Sequence, residues 1–264
     1  GYQVALVAPT TILVKQHYKS FSERFKTSSL NISSLSRMTS LKDRNKIKND
    51  LKTGEVNIVI GTHALLSNDV DFNNLGLLII DEEQHFGVAQ KEKIKELQGN
   101  IHVLTLSATP IPRTLQLSLS GLKQLSLITT PPVNRLSIRT FVLEWDKVVL
   151  LDALNREKNR GGQTFIVCPR VKDIDSLYDR IKKIVPNLSI SVAHGQMKID
   201  ELDKSINLFS DGIRDILIST NIIESGIDIP NANTMIIHKA DMFGLSQLYQ
   251  LRGRVGRSKI RAYS

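Results

Sequence analysis

The feature that most constrains the fold is a run of four aliphatic residues, Leu77 to Ile80, followed by the carboxylates of Asp81, Glu82 and Glu83. A short apolar run closed by polar residues is typical of a parallel strand that is buried on both faces. Ligands of open α/β sheets bind beyond the carboxyl ends of such strands. Two interpretations follow: a Walker-B-type site, where Asp81 holds Mg2+ and Glu82 orients the attacking water, or a strand that ends in a solvated acidic loop.

Similar apolar runs alternate with helical segments along the whole chain. They lie at residues 3–8, 57–60, 77–80, 101–106, 164–168, 189–193, 215–219 and 234–238. This alternation predicts βαβ units and parallel sheets. The strand at 101–106 is predicted to be buried like the others. Pro131 and Pro132 favour an extended linker. The sequence therefore predicts two α/β domains, residues 1–135 and 136–264.

The strong strands of the first half all end in small, polar or turn-forming residues. These ends are Pro9-Thr10-Thr11, Gly61-Thr62-His63, Asp81-Glu82-Glu83 and Ser107-Ala108-Thr109. Small residues let backbone amides approach a phosphate closely, and threonine hydroxyls add donors. A single threonine after a strand is more often a helix cap. Four such ends at one edge of one sheet nevertheless indicate a phosphate-binding surface.

The C-terminal segment Gln250-Leu251-Arg252-Gly253-Arg254-Val255-Gly256-Arg257 carries a second signal. Arg254 and Arg257 are three residues apart and share a helix face if the segment is helical. Two guanidinium groups spaced by glycines suit bidentate contact with phosphate oxygens, as in arginine fingers. The alternative is a solvated basic terminus, which does not account for the glycine spacing.

Bulk composition narrows the class of protein. The net charge of +9 favours a polyanionic partner, most simply nucleic acid. The single cysteine, Cys168, excludes an intrachain disulfide, fits a reducing cytoplasm and lies in an apolar run typical of a core. No apolar run approaches the roughly 18 residues that span a bilayer. We therefore expect a cytoplasmic protein that has no membrane partner.

Together these segments resemble the superfamily 2 helicase and translocase motor. Residues 81–84 look like motif II, 107–109 like motif III, 219–230 like motif V and 250–257 like motif VI, while 9–11 and 61–63 look like motifs Ia and Ic. The resemblance implies an α/β fold of two RecA-like domains. Each would be a mainly parallel sheet with helices on both faces, with a nucleotide cleft between them. It also implies ATP and Mg2+ as cofactors.

Longer stretches are similar to the motor of the bacterial transcription-repair coupling factors. These stretches are residues 81–95, 104–132, 193–197 and 243–258. The branched-DNA helicase RecG shares TPIPRTL and GRVGRS and is the second resemblance. The first resemblance implies ATP-driven translocation on double-stranded DNA in transcription-coupled repair. It implies contacts with stalled RNA polymerase and excision-repair proteins through regions outside this chain. His85 departs from the family, which usually has arginine there.

The resemblance assigns roles residue by residue. Asp81 binds Mg2+ and Glu82 activates water, with Gln250, Arg254 and Arg257 completing the catalytic set. Other roles are nucleotide binding by Gly226 and Asp228, coupling of the ATP and DNA sites by Ser107 and Thr109, and DNA-backbone contact by Pro9, Thr10, Thr11, Gly61, Thr62, His63, His194, Gly195 and Thr220.

The phosphate-cradling motif G-x-x-x-x-G-K-[ST] does not occur in the sequence. In the motor family this loop precedes the first strand, so we expect it upstream of Gly1 if a parent protein has it. We expect the chain alone to hydrolyse ATP poorly because the β- and γ-phosphates lack that cradle. A further interpretation is a non-catalytic remnant that only binds DNA through its basic face.

Overall fold

The computed structural model describes residues 1–82, 86–87, 90, 92–94, 101–107, 124–130, 136–220, 229–257 and 260–264. The chain divides into two compact units, Gly1–Leu125 and Ser126–Ser264. The predicted domain boundary at 135/136 borders residues 131–135, which lie outside the described ranges, so it stays a prediction. Within the described ranges, no helix has the length and apolar character needed to cross a membrane.

The first unit contains a five-stranded sheet in the order β2-β3-β1-β4-β5. Its elements are β1 (Gln3–Val7), α1 (Thr11–Arg24), β2 (Ile32–Leu35), α2 (Leu41–Thr53), β3 (Ile58–Gly61), a 3-10 turn (His63–Leu66), β4 (Leu75–Asp81) and β5 (His102–Leu106). All four strand pairings are parallel. The carboxyl ends of the five strands therefore lie along one edge of the sheet.

Helices cover both faces of this sheet, as predicted. Successive residues of β1 point to opposite faces. Val7 packs in a cluster with Leu51 of α2, whereas Leu6 packs in a second cluster with Leu13 and Val14 of α1. The apolar run of β1 is thus buried from both sides.

The second unit contains a four-stranded parallel sheet in the order β7-β8-β6-β9. Its elements are α3 (Lys147–Asn159), β6 (Gln163–Val167), α4 (Ile174–Ile184), β7 (Ile190–Ala193), α5 (Ile199–Ser210), β8 (Ile216–Ser219), β9 (Ala232–Ile237) and α6 (Leu245–Arg252). On one face, Ile166 of β6 packs with Leu154 of α3 and Leu177 of α4. On the other face, the rings of Phe165 and Phe209 lie 5.1 Å apart, which places α5 there.

The two units repeat one architecture. The sheet order β2-β3-β1-β4 of the first unit corresponds to β7-β8-β6-β9 of the second. The first residue of each central strand is a buried glutamine, Gln3 or Gln163. In the first unit the side-chain amide donates to the carbonyls of Leu51, in the last turn of α2, and Val56, just after it, at 3.0 and 2.8 Å. In the second unit it donates to those of Phe209, in the last turn of α5, and Arg214, just after it, at 2.5 and 2.6 Å. In both units, hydrogen bonds from a buried glutamine thus connect the amino end of the central strand to the end of a helix.

Candidate functional site

The acidic end of β4 lies at the carboxyl edge of the first sheet. Asp81 is the last residue of β4, which lies between β1 and β5. Its Oδ2 lies 2.8 Å from Nε2 of His17 on α1. The Asp81 side chain is 18% exposed and that of His17 is 26% exposed. An ionised carboxylate has about four acceptor sites, so the contact with His17 leaves Asp81 with capacity for a metal ion.

Glu82 adopts an unusual backbone conformation directly after the strand. Its φ is +53°, in the left-handed region, and the residue is only 7% exposed. Its backbone N–H donates to the carbonyl of Leu106 at 3.0 Å. A non-glycine residue in this region costs on the order of 1 kcal/mol, and such strain gathers at functional sites. The interpretation as a solvated acidic loop therefore fails for Glu82; Glu83, Gln84 and His85 lie outside the described residues.

The Asp81–Glu82 pair can hold a magnesium ion at a nucleotide site. Among the described residues, no group of three or more His, Cys, Asp or Glu side chains is arranged to hold a metal. Mg2+ in nucleotide sites uses one or two carboxylates and takes its other ligands from water and phosphates. Asp81, partly exposed at the strand end, can supply one of these ligands. When bound, Mg2+ neutralises charge on phosphate oxygens.

Two of the three threonines predicted to contact DNA in the first unit, Thr10 and Thr62, cap helical segments. Oγ1 of Thr10 accepts the N–H of Leu13 at 3.3 Å and begins α1. Oγ1 of Thr62 accepts the N–H of Ala64 at 3.5 Å and begins the 3-10 turn. Helix capping, the alternative weighed from the sequence, is thus what both hydroxyl oxygens do. Each hydroxyl keeps its O–H donor, so a role on the DNA backbone stays a prediction.

The two predicted DNA-contacting glycines differ in what surrounds them. A methyl group at Gly61 would lie 2.7 Å from Cγ of Leu65 and closer still to the carbonyl oxygen of Leu35. A methyl group at Gly195 would meet no heavy atom within 4 Å. Packing of β3 against β2 and the 3-10 turn therefore explains Gly61, whereas the fold itself does not require a glycine at 195.

The remaining predicted contacts in the first unit flank these strand ends. Pro9 and Thr11 are partly exposed, and His63 is exposed. Ser107, predicted to couple the two sites, directly follows β5 and is exposed. Thr109, Gly226 and Asp228 lie outside the described residues.

The carboxyl edge of the second sheet carries His194, Gly195 and Thr220, which were predicted to contact DNA. His194 follows β7 and Thr220 follows β8, and these strands are neighbours. Within the described part of the chain, the buried Nδ1 atom of His194 has no hydrogen-bond partner. The parallel sheet thus brings these residues to one edge of the second unit.

Arg170 was not among the predicted site residues. It is exposed and follows β6 by the same interval as Thr10 follows β1. Comparison of Ala8-Pro9-Thr10 with Cys168-Pro169-Arg170 in the two halves would have found it. By this correspondence, Arg170 lies at the same edge as Thr220.

Arg254 and Arg257 lie beyond helix α6, so the condition under which they would share a helix face is not met. Helix α6 ends at Arg252, before either residue. Gly256 has a φ of +75°, which continues no helix. Arg254 is 7% exposed while Arg257 is exposed, so the two guanidinium groups have different surroundings. Gln250 lies on α6 and is partly buried.

A separate pocket of about 790 Å3 lies in the second unit. Its walls come from α3, β9 and residues 141–146. Trp145 stands in this lining, with its ring 5.4 Å from that of His238 in an edge-to-face contact. Of the predicted site residues that the structure describes, none lines this pocket.

Two sequence families match the chain, one in each half. Residues 1–118 match the family described as DEAD/DEAH box helicase. Residues 146–259 match the family described as helicase conserved C-terminal domain. Together the matches cover the predicted motifs of both halves.

Curated relatives are similar over the whole chain. Transcription-repair-coupling factor of Rickettsia bellii is 58% identical over 262 residues, which are 99% of this chain and 23% of that protein. The protein of the same name from Bacillus subtilis is 53% identical over 264 residues, 100% of this chain and 22% of that protein. The chain thus spans less than a quarter of the length of these relatives.

Solved structures agree with the fold. A structure of RecG bound to a three-way DNA junction aligns with a TM-score of 0.79 at 38% identity, covering 100% of this chain and 36% of that one. Dbp5 of S. cerevisiae, bound to RNA and ADP BeF3, aligns with a TM-score of 0.72 at 17% identity, covering 100% of this chain and 70% of that one. The second likeness supports the fold alone, and the predicted pair of parallel-sheet α/β domains is confirmed.

Proposed function

We propose that this chain, which belongs to the helicases that pair a DEAD/DEAH box domain with a conserved C-terminal domain, is the motor core of an ATP-driven translocase on double-stranded DNA. The observation that carries the proposal is the Asp81–Glu82 pair. A partly exposed carboxylate ends a central parallel strand, and a buried glutamate with a strained backbone follows it at once. This combination suits phosphoryl transfer to water.

Each residue has a separate chemical task in this proposal. Asp81 holds Mg2+, and Glu82 orients the attacking water. Arg254 and Arg257 neutralise the charge that develops on the phosphate oxygens, and Gln250 contacts the nucleotide. Glu82 is withdrawn from bulk solvent, which strengthens its electrostatic interaction with a water molecule. Gly226 and Asp228 add nucleotide contacts, and Ser107 and Thr109 couple hydrolysis to the DNA.

Charge distribution supports a nucleic-acid backbone as the partner. Residues 1–66 contain ten Lys and Arg residues but four Asp and Glu residues. Residues 239–264 contain six basic residues and one acid. Contact with phosphates through such segments is independent of base sequence and falls steeply with salt. Threonines, glycines and histidines at the strand ends would then position the backbone.

The biological setting is proposed from the relatives. Proteins named transcription-repair-coupling factor are 50–59% identical to this chain. We place the chain in transcription-coupled DNA repair, with stalled RNA polymerase and excision-repair proteins bound through other regions of a longer protein. The setting is the cytoplasm, where the single cysteine stays reduced.

ATP turnover measured with and without linear duplex DNA tests the proposal. We expect slow hydrolysis by the chain alone, because the sequence lacks the phosphate-loop motif. Duplex DNA should raise that slow rate, and Glu82→Gln should abolish it. A rate as fast as that of a complete motor would refute the importance of the missing loop. Turnover that Glu82→Gln leaves unchanged would refute the assigned role of Glu82.

A RecG-type activity on branched DNA is the second candidate. The structural likeness to RecG bound to a three-way junction favours it. Stimulation of ATP turnover by a three-way junction well above that by linear duplex would favour this candidate. Salt-sensitive DNA binding without any DNA-dependent turnover would favour the third interpretation, a non-catalytic remnant.

A further inference from the structure

We propose that His17 is a positioning residue that links DNA contact at the start of α1 to the metal-binding carboxylate of Asp81. The inference rests on the proposed function, since it assumes that DNA meets the N-terminal end of α1 and that Asp81 holds Mg2+. It adds a connection inside the first unit that needs neither Ser107 nor Thr109.

Helix α1 connects the proposed DNA contact at Thr10 with the contact between His17 and Asp81. Thr10 begins the helix as its N-cap, and the helix runs unbroken from Thr11 to Arg24. His17 lies seven residues after Thr10, a rise of about 10 Å at roughly 1.5 Å per residue. Leu13 and Val14, between the two, are 4% and 2% exposed and fix the helix on the sheet. A shift of the cap on contact with phosphate therefore carries His17 with it.

The contact at the other end is a directed hydrogen bond. Asp81, when ionised, can only accept, so Nε2 of His17 carries the proton and donates over the 2.8 Å that separate the atoms. The bond fixes one oxygen of the carboxylate and thereby the direction in which the carboxylate presents its remaining lone pairs. Groups that orient a metal ligand in this way typically change metal affinity about 10- to 100-fold.

The His17 contact is not what docks α1 onto the sheet. The His17 side chain is 26% exposed, whereas the apolar anchors of the helix are almost fully buried. Asp81 is itself fixed by β4, whose Ile80 pairs directly with Val7 of β1. Both partners are therefore held by other contacts, and the bond between them is available to respond to ligands.

Metal binding is measured on this chain without nucleotide or DNA, by the electron paramagnetic resonance signal of free Mn2+. Asp81→Asn should abolish specific binding. His17→Ala should weaken binding by about 10- to 100-fold, and His17→Gln, which keeps an N–H donor, should restore most of it. Ser20→Ala is the matched control, since Ser20 is an exposed residue of the same helix.

Coupling is measured as the affinity for a fluorescent duplex, by anisotropy, with and without Mg2+ at constant ionic strength. Because coupling between two sites is reciprocal, Mg2+ bound at Asp81 must change DNA affinity by the factor that DNA changes metal affinity, typically about 5- to 150-fold. The Asp81→Asn variant lacks the metal site, so any change in its DNA affinity with Mg2+ comes from Mg2+ that binds the DNA itself. His17→Ala should reduce the coupling to that level, while His17→Gln and Ser20→Ala should keep it.

The outcomes separate this inference from the proposed function. If the wild-type chain binds neither Mn2+ through Asp81 nor duplex DNA, the proposed function fails and the inference fails with it. If both ligands bind and Mg2+ has no effect on DNA affinity beyond that in Asp81→Asn, only the inference fails. It also fails if His17→Ala keeps the coupling, or if His17→Gln loses as much as His17→Ala.

Discussion

Alanine substitutions at Gly61 and Gly195 should separate packing from DNA contact. In Gly61→Ala, the added methyl group would lie 2.7 and 2.8 Å from the Leu65 side chain and closer to the carbonyl oxygen of Leu35. That carbonyl accepts the N–H of Thr62 at 3.2 Å, so it cannot move without disturbing the end of β3. Overpacking of this kind costs about 1–3 kcal/mol, and we expect Gly61→Ala to lose that much unfolding free energy.

Gly195→Ala should behave in the opposite way. The methyl group meets no atom within 4 Å, and the backbone of Gly195 does not adopt a positive φ. Such a substitution stabilises a protein by about 0.4–1 kcal/mol through the unfolded chain. DNA affinity should nevertheless fall about 10- to 150-fold, because the methyl group blocks close approach of a phosphate to the backbone amide, a charged hydrogen bond worth about 1.5–3 kcal/mol.

Urea unfolding of both variants measures the first effect, and anisotropy of a labelled duplex measures the second. An unchanged unfolding midpoint for Gly61→Ala would refute the packing argument. Unchanged DNA affinity for Gly195→Ala, with stability preserved, would remove Gly195 from the DNA-binding edge. Gly195→Ala serves as the control for the stability measurement, since its methyl group meets no atom within 4 Å.

Three further predictions concern stability and reactivity. Burial raises the pKa of Cys168 to about 11, so its thiolate fraction at pH 8 is about 0.1%. A disulfide reagent should therefore label this thiol only after urea unfolding. Rapid labelling of the native chain would contradict this prediction. Gln3→Leu and Gln163→Leu should each lower the unfolding free energy by about 1–3 kcal/mol, because two carbonyls lose their shared donor; equal urea midpoints would refute it. Partial burial raises the pKa of Asp215, but hydrogen bonds from Lys158 and Ser189 lower it by more than burial raises it. The pKa of Asp215 therefore lies below its ordinary value. The resulting stability is present above the unfolded-state pKa of about 3.9 and is lost as pH falls through the lowered pKa, so Asp215→Asn should flatten the acid limb of urea midpoints measured from pH 7 to pH 3.

The fold was largely predictable because its signals are local. Most of the parallel strands are apolar runs closed by polar residues, and α1 and α2 begin with the capping side chains of Thr10 and Ser40. The sequence also placed the acids at a strand end, where parallel pairing brings all carboxyl ends to one edge. These features depend on neighbours along the chain, which sequence patterns report directly.

What was not predictable depends on contacts between distant residues or on strand order. The strand at 101–106 was predicted to be buried, but β5 is the last strand in the described order of its sheet, and Leu104 and Leu106 are 49% and 40% exposed. An apolar run has the same pattern in a central or an outer strand. The bond between His17 and Asp81 joins residues 64 positions apart. Only the packing of α1 on one face of the sheet brings these residues together.

The repeated architecture of the two units supplies a way to find such residues. In the first unit, the end of β1 carries Pro9-Thr10, and in the second unit the end of β6 carries Pro169-Arg170. Similarly, Gly61-Thr62 at β3 corresponds to Ser219-Thr220 at β8. Strand order is the same in both sheets, so residues that occupy equivalent strand ends lie at equivalent points of the carboxyl edge. A hydroxyl in one unit and a guanidinium in the other both donate to phosphate oxygens, and Arg170 therefore belongs in the same group of predicted DNA contacts as Thr220.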